Sequence, residues 1–325
     1  MAEMTYREAL RQALIEAMEE DERVFVMGED VNLYGGSYGV TRDLATLFGD
    51  RRVRDTPIAE MGIAGVATGA AMAGLRPVAE LMTINFALIS ADAIINHAAK
   101  IRSMFAGQAQ APVVIRTVGG GGAQLAATHS QNFEAMFSHI PGLLVAMPAT
   151  PYDAKGLLRT AILVNDPVLF IEHAKLYNLR GEVPEERYTI PLGRADVKRA
   201  GKDLTLIAYS AMVHVALDVA NKLADRGVEA EVVDLRSLRP LDTETIVRSV
   251  KKTSRAVVVE ENWRSYGIGA EVVARIQEEA FEWLDAPVRR VASEEVPFPY
   301  AKKLEQAAMP SAEKVLAQLR EMRVA

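Results

Sequence analysis

Apolar residues between positions 5 and 21 recur at helical spacing among charged ones, which predicts an amphipathic helix near the N-terminus. Short runs that are apolar almost throughout come next: Val24–Met27, closed by Gly28, then Pro77–Met82, Ala111–Thr117, Gly142–Met147 and Pro167–Glu172. Each has the length of a strand buried on both faces, and stretches of helical spacing at 85–106 and 152–164 separate them. Such an alternation predicts a mostly parallel sheet covered by helices on both sides. From Arg180 to Lys202 the pattern lapses into RGEVPEERYTIPLGRADVKRAGKD, polar and interrupted by two prolines, which predicts a connection. The rhythm then restarts, with strands at Leu204–Tyr209, Ala230–Leu235, Arg255–Val259 and Val288–Ala292. Helices are predicted between them and at 311–322. The expected fold class is α/β in two domains, residues 1–180 and 203–325, with a linker over 181–202.

Composition narrows the function more than the fold. The chain has 325 residues, enough for two domains with cores of their own, and half of them are apolar. A net charge of −6 and the lack of a basic run argue against nucleic acid as a partner. There is no cysteine, so disulfides, thiolate metal sites and cysteine nucleophiles are excluded, and a cytoplasmic or matrix-like compartment is expected. The charged N-terminal helix is not a signal peptide, and the uncharged stretch 61–75 is too short to span a bilayer.

In open parallel sheets ligands sit beyond the carboxyl ends of the strands, and these ends supply the candidate chemistry. Glu29 and Asp30 follow the first strand, Glu80 lies near the end of the second, and the glycines 119–122 followed by His129 come after the third. Glu60 stands where TPIAEMGIAGVATGAAMAG turns into a helix, and Gly62, Gly65, Gly69 and Ala73 leave one face of that helix nearly bare. A helical glycine costs about 1 kcal/mol relative to alanine, so close packing against another backbone or a ligand is expected there. The plain reading of Glu60 is a carboxylate favoured by the helix dipole with no chemical task. Glu29 reads equally well as a cap, and the segment GEDVNLYGGSYG suits a flexible, ligand-covering loop. His129 is the histidine best placed for acid–base work, although a lone loop histidine is as often structural. The glycine run lacks both the G-x-G-x-x-G spacing and a P-loop lysine, so it is a weak phosphate cradle. Periodicity alone makes Phe86 a core aromatic.

Several segments in order, VFVMGEDV, RVRDTPIAEMGIAGVATGAAMAGLRPVAELM, THSQ, PYDAKGLL, DPVLFIEHAKLYN, EVVDLRSLRPLD and LDAPVRRVAS, resemble the β subunits of thiamine-diphosphate-dependent 2-oxo acid dehydrogenases. The resemblance covers essentially the whole chain. It implies a pyrimidine-binding domain followed by a transketolase C-terminal-like domain, and an α2β2 heterotetramer whose α subunit holds Mg2+ and the diphosphate through a Gly-Asp-Gly motif absent here. It implies that Glu60 hydrogen-bonds the cofactor's aminopyrimidine, that Phe86 stacks on that ring, that Met82 lines its pocket and that Glu29 lies nearby. It gives His129 a part in decarboxylation and in acyl transfer to lipoyl-lysine. Some members hold a potassium ion through backbone carbonyls, at positions matching Val113, Ala161, Ile162, Val164 and Asp166. The implied reaction is oxidative decarboxylation of a 2-oxo acid with reductive acylation of the lipoyl domain of a dihydrolipoyl transacylase core. GEDVNLYGGSYGV and PIAEMGIAGVATGAAMAG are most similar to pyruvate-specific members, whereas MFAGQAQAPVVIRT and LYNLRGEVPE also resemble acetoin dehydrogenases, and branched-chain enzymes share the frame. A non-catalytic α/β scaffold is the alternative of another class, and Glu60, Phe86 and His129 together weigh against it.

Overall fold

Strand β1 (Ala2–Thr5) ends in a residue that starts a helix: the Thr5 hydroxyl accepts from the Glu8 amide while the Glu8 carboxylate accepts from the Thr5 amide. This capping box opens helix α1 (Tyr6–Glu20), whose apolar face is buried as its spacing predicts. The computed structural model describes residues 1–322, which divide into two units. The first comprises Met1–Gly119 and Met136–Leu192; the second comprises Gly120–Ala135 and the chain from Gly193 onward.

The first unit continues with β2 (Val24–Gly28), α2 (Leu44–Phe48), β3 (Val53–Asp55), α3 (Glu60–Met72) and β4 (Arg76–Glu80). After these come α4 (Ile101–Met104), β5 (Val114–Gly119), α5 (Glu134–Ser138), β6 (Leu144–Ala146), α6 (Pro151–Leu163), β7 (Val168–His173) and β8 (Arg180–Val183). Six strands lie side by side in the order β6-β7-β5-β4-β2-β3, every adjacent pair parallel. Strands β5 and β7 are buried at every residue, which is why they read as mostly apolar runs, each with a buried charge, Arg116 or Glu172. The expected helix at 85–106 is broken into a 3-10 turn (Ile84–Leu88), a π turn (Ala93–Ala98) and the short α4. Asp92 contributes to this, because its carboxylate accepts from Asn96 Nδ2 at 2.7 Å and meets His97 Nε2 at 3.1 Å. Contacts four and five residues along suit a widened turn.

The second unit holds β9 (Asp196–Arg199), β10 (Leu204–Ala208), α7 (Met212–Ala224), β11 (Ala230–Asp234), β12 (Ser237–Arg239) and α8 (Thr243–Thr253). It ends with β13 (Ala256–Trp263), α9 (Ile268–Ala280), β14 (Arg289–Ser293), α10 (Lys302–Ala308) and α11 (Ala312–Glu321). Its sheet runs β14-β13-β10-β11-β9, parallel except for β9 at the edge. Both units are therefore α/β, as the alternating pattern predicts. The polar stretch 181–202 carries two strands, β8 paired antiparallel with β1 in the first unit and β9 in the second. No helix among the described residues is long and apolar enough to cross a membrane.

Candidate active site

At the carboxyl edge of the first sheet, Gly28, Glu80 and Arg116 stand in register on β2, β4 and β5. Gly28 has no alternative there, since a Cβ would lie 2.7 Å from the Glu80 carbonyl oxygen. Arg116 is almost fully buried and bridges Glu80 and Glu172, with its Nη2 donating to Glu172 Oε2 at 2.9 Å. The Tyr177 hydroxyl donates to the same Glu172 oxygen at 2.6 Å. Burial works against the guanidinium's charge, but Glu172 and Glu80 outweigh it and hold Arg116 protonated. The segment 29–43 folds onto this cluster. Tyr38 stacks on Tyr177 with ring centroids 5.0 Å apart, the Asn32 amide donates to Asp55 at 2.7 Å, and the large apolar side chains at the tip, Leu33 and Tyr34, are exposed. The segment expected to be a flexible covering loop is thus fastened at both ends.

Glu29 begins that segment, buried, with its Oε1 lacking a hydrogen-bond partner. Burial raises its pKa, and the charges of Glu60, Asp30 and Glu80 raise it further. Glu60 is also buried, in the first turn of α3, where the cap Ala59 offers no side-chain oxygen, so the carboxylate itself meets the helix dipole. Structure brings Glu60 and Glu80 within electrostatic reach of Glu29. Met82 and Phe86 follow β4, both half-buried rather than sunk in the core. A buried carboxyl group, a second one keeping a free oxygen, and a partly open aromatic face fit a flat, hydrogen-bonding heteroaromatic ring.

The proposed potassium positions fit less well. The carbonyls of Ile162 and Val164 accept from Arg76 Nη1 at 2.9 and 3.1 Å, and the Val113 carbonyl accepts from the Val168 amide at 2.9 Å. The Asp166 carboxylate binds Arg102 at 2.6 and 2.7 Å. A guanidinium already supplies positive charge to this end of α6, so these carbonyls do not form the unsatisfied cage a potassium ion takes.

His129 lies on Gly120–Ala135, a segment that clusters with the second unit. It is exposed, and its Nδ1 lies 3.0 Å from the Thr128 hydroxyl. Glu134 closes the segment, buried, accepting from the Tyr209 hydroxyl at 2.9 Å. Burial pushes Glu134 up to about 7 against the pull of its own backbone amide and Tyr209. Glu260 is likewise pushed up to about 7 by burial, and Glu134's charge adds to the effect of burial. Sequence reasoning passed over Arg116, Glu172, Glu134 and Glu260. Their one visible signal was a charge inside or at the end of an otherwise apolar run, as in VVIRT, VLFIEH and AVVVEE.

Residues 2–180 match the family "Transketolase, pyrimidine binding domain" and residues 193–315 match "Transketolase, C-terminal domain". The chain is 48% identical over 314 residues to "Pyruvate dehydrogenase E1 component subunit beta" of Rickettsia felis, covering 97% of this chain and 96% of that one. It is 50% identical over 307 residues to the protein of the same name from Porphyra purpurea, covering 94% and 93%. The chain belongs to the pyruvate dehydrogenase E1 beta subunit family. A rice protein of this family, named "Pyruvate dehydrogenase E1 component subunit beta-2, mitochondrial", is 48% identical over 318 residues, covering 97% of this chain and 85% of that one. Among solved structures, "Split gene transketolase, inactive beta4 tetramer" superimposes with a TM-score of 0.80 at 26% identity, covering 98% of this chain and 97% of that one. Within this E1 beta frame, Glu60 and Glu29 stand at the carboxyl edge of the pyrimidine-binding domain's sheet, which is where an open parallel sheet takes a ligand.

Proposed function

We infer that this chain acts as the β subunit of a pyruvate dehydrogenase, which decarboxylates pyruvate oxidatively with thiamine diphosphate and passes the acetyl group to lipoyl-lysine of a dihydrolipoyl transacylase core. The observation that carries this reading is the near end-to-end similarity to E1 beta subunits, at 48% identity over 97% of the chain. Thiamine diphosphate, when bound, supplies the electron sink for losing carbon dioxide from a 2-oxo acid. Glu60 would hold a proton at the aminopyrimidine nitrogen, Phe86 would stack on the ring and Met82 would line its pocket. Glu29, whose raised pKa lets it carry a proton at neutral pH more readily than an exposed acid, would exchange protons beside Glu60. His129 would orient or protonate groups during acyl transfer.

An α subunit completes the site. It would hold Mg2+ and the diphosphate, because this chain has no Gly-Asp-Gly segment. The face of α3 supports such a partner: Cβ atoms built at Gly65 and Gly69 meet nothing within 4 Å, while Met61, Val66 and Met72 beside them are exposed. The close packing that these glycines imply is thus not made by this chain, and a second chain is what would use it. An α2β2 assembly in a cytoplasmic compartment, or a matrix one, suits the cysteine-free composition.

The test is co-production with an α subunit, supplying thiamine diphosphate, Mg2+ and an artificial electron acceptor, with pyruvate, branched-chain 2-oxo acids and acetoin offered in turn. Turnover of pyruvate is expected. Preference for one of the other substrates would move the chain to that neighbouring specificity, and a cofactor-loaded tetramer inert to all three would favour a scaffold.

A further inference from the structure

The glycine run after β5 has the backbone of an anion-binding nest. Residues with positive φ alternate along it, Gly120 at +90°, Gly122 at +87°, Gln124 at +59° and Ala126 at +64°, an arrangement that turns successive amides toward one side. Those amides are already occupied. The Gly121 amide donates to Glu261 Oε1 at 2.5 Å, and the amides of Gly122 and Gln124 donate to Glu305 at 2.8 and 3.2 Å. Both carboxylates belong to the second unit, Glu261 on β13 and Glu305 on α10, and both are buried. Gly121 also lies flat on Phe298, where a Cβ would come 3.4 Å from the ring. At the other end of the segment Asn132 Nδ2 donates to the Glu261 carbonyl at 3.3 Å, and Glu134 is held by Tyr209. Between these two anchors stands His129, exposed.

We propose that Glu305, together with Glu261, is a positioning residue for His129: the two carboxylates occupy the glycine nest as an internal anion and fix the loop that presents the histidine. Glu305 sits in a seven-residue helix beside the apolar cluster of Phe298, Ala308 and Met309, and its buried carboxylate accepts from the Gly122 and Gln124 amides. An unpaired buried carboxylate is costly, and backbone amides offset that cost only while the loop keeps its nest conformation. Loop geometry and carboxylate burial are therefore one coupled feature. The same occupancy explains why the run resembles a phosphate cradle without serving as one: its amides are spent on the chain's own carboxylates.

The proposal rests on the inferred part of His129 in acyl transfer, and its test keeps the two apart. Glu305→Ala, Glu305→Gln and Glu305→Asp are made in the assembled enzyme, each also combined with His129→Ala. Hydrogen exchange of the peptide spanning 119–135 is measured alongside two activities, decarboxylation with an artificial acceptor and acylation of a lipoyl domain. Glu305→Ala should speed exchange in that peptide and lower acylation relative to decarboxylation by about tenfold, the scale of a lost hydrogen bond to a charged group. Glu305→Asp should recover part of both effects, and the acylation deficit should not deepen when His129 is already alanine, whereas the faster exchange should persist there. Unchanged exchange would overturn the proposal, as would equal losses in the two activities or an undiminished acylation effect in the His129→Ala background. A wild-type enzyme inert to every 2-oxo acid would instead remove the functional reading, while the exchange data would still decide whether Glu305 seats the loop.

Discussion

Replacing Gly65 and Gly69 by alanine should stabilise this chain by itself, whereas replacing them by leucine should weaken its assembly. Both positions lie inside α3, and a Cβ at either meets nothing within 4 Å among the described residues outside the helix's own adjoining backbone, so no clash opposes the gain in helix propensity. That gain is about 1 kcal/mol per glycine, or about 2 kcal/mol for the pair. At about 2–4 °C per kcal/mol for a domain of this size, thermal unfolding of the isolated chain should rise by about 4–8 °C. With leucine in place of alanine, the side chains would fill the space a partner backbone needs. Overpacking of that kind costs about 1–3 kcal/mol per site, so affinity for the α subunit should fall at least about tenfold. Circular dichroism melting of the isolated chain and mass photometry of the co-produced subunits measure the two sides. Leucine variants that assemble as tightly as wild type would refute the reasoning, because they would show that the bare face contacts no partner. Alanine variants that melt below wild type would refute it as well, by showing that the face is packed within the chain.

Three further outcomes follow from the geometry. Glu60→Gln should leave fold, cofactor binding and assembly intact yet slow decarboxylation by about 10²–10⁴-fold, the scale of a lost general acid–base group; unchanged hydrogen exchange at the cofactor's C2 would remove Glu60 from the mechanism. Arg116→Met leaves Glu80 and Glu172 buried without their cation, which should cost about 3–5 kcal/mol and lower the melting temperature by about 10 °C; a shift within 2 °C, on the order of 1 kcal/mol, would mean that the carboxyls are neutral. Glu134 and Glu260 are each raised from 4.5 to about 7, so as pH climbs the unfolded chain releases these protons before the folded one does. Stability contributed by the pair is therefore greatest below pH 4.5, falls between about 4.5 and 7 and levels off above, by about 3 kcal/mol for one such group. Glu134→Gln should flatten that decline in melts taken across the window, and an unaltered slope would place the titration elsewhere.

Much of the architecture was legible along the chain because its physical cause is local. Strands buried on both faces, such as β5 and β7, are written as mostly apolar runs, and α1 carries its capping box and apolar stripe in consecutive residues. Where local side-chain contacts compete with regular helix, the pattern misled. The segment 85–106 has helical spacing, yet it breaks where Asp92 binds Asn96 and His97.

By its own order of residues, then, the sequence determined two α/β units, the place of Glu29 after the first strand and of Glu60 at a helix entry, and membership of the pyruvate dehydrogenase E1 beta subunit family. Tertiary structure alone decided which charges meet. Arg116 bridges Glu80 and Glu172 because three strands distant in sequence lie side by side, and Glu305 reaches Gly122 across 183 residues. A single buried charge can be spotted in a sequence as an anomaly. Its partner is selected by sheet order and register, and those are set by the packing of the whole unit rather than by neighbours along the chain.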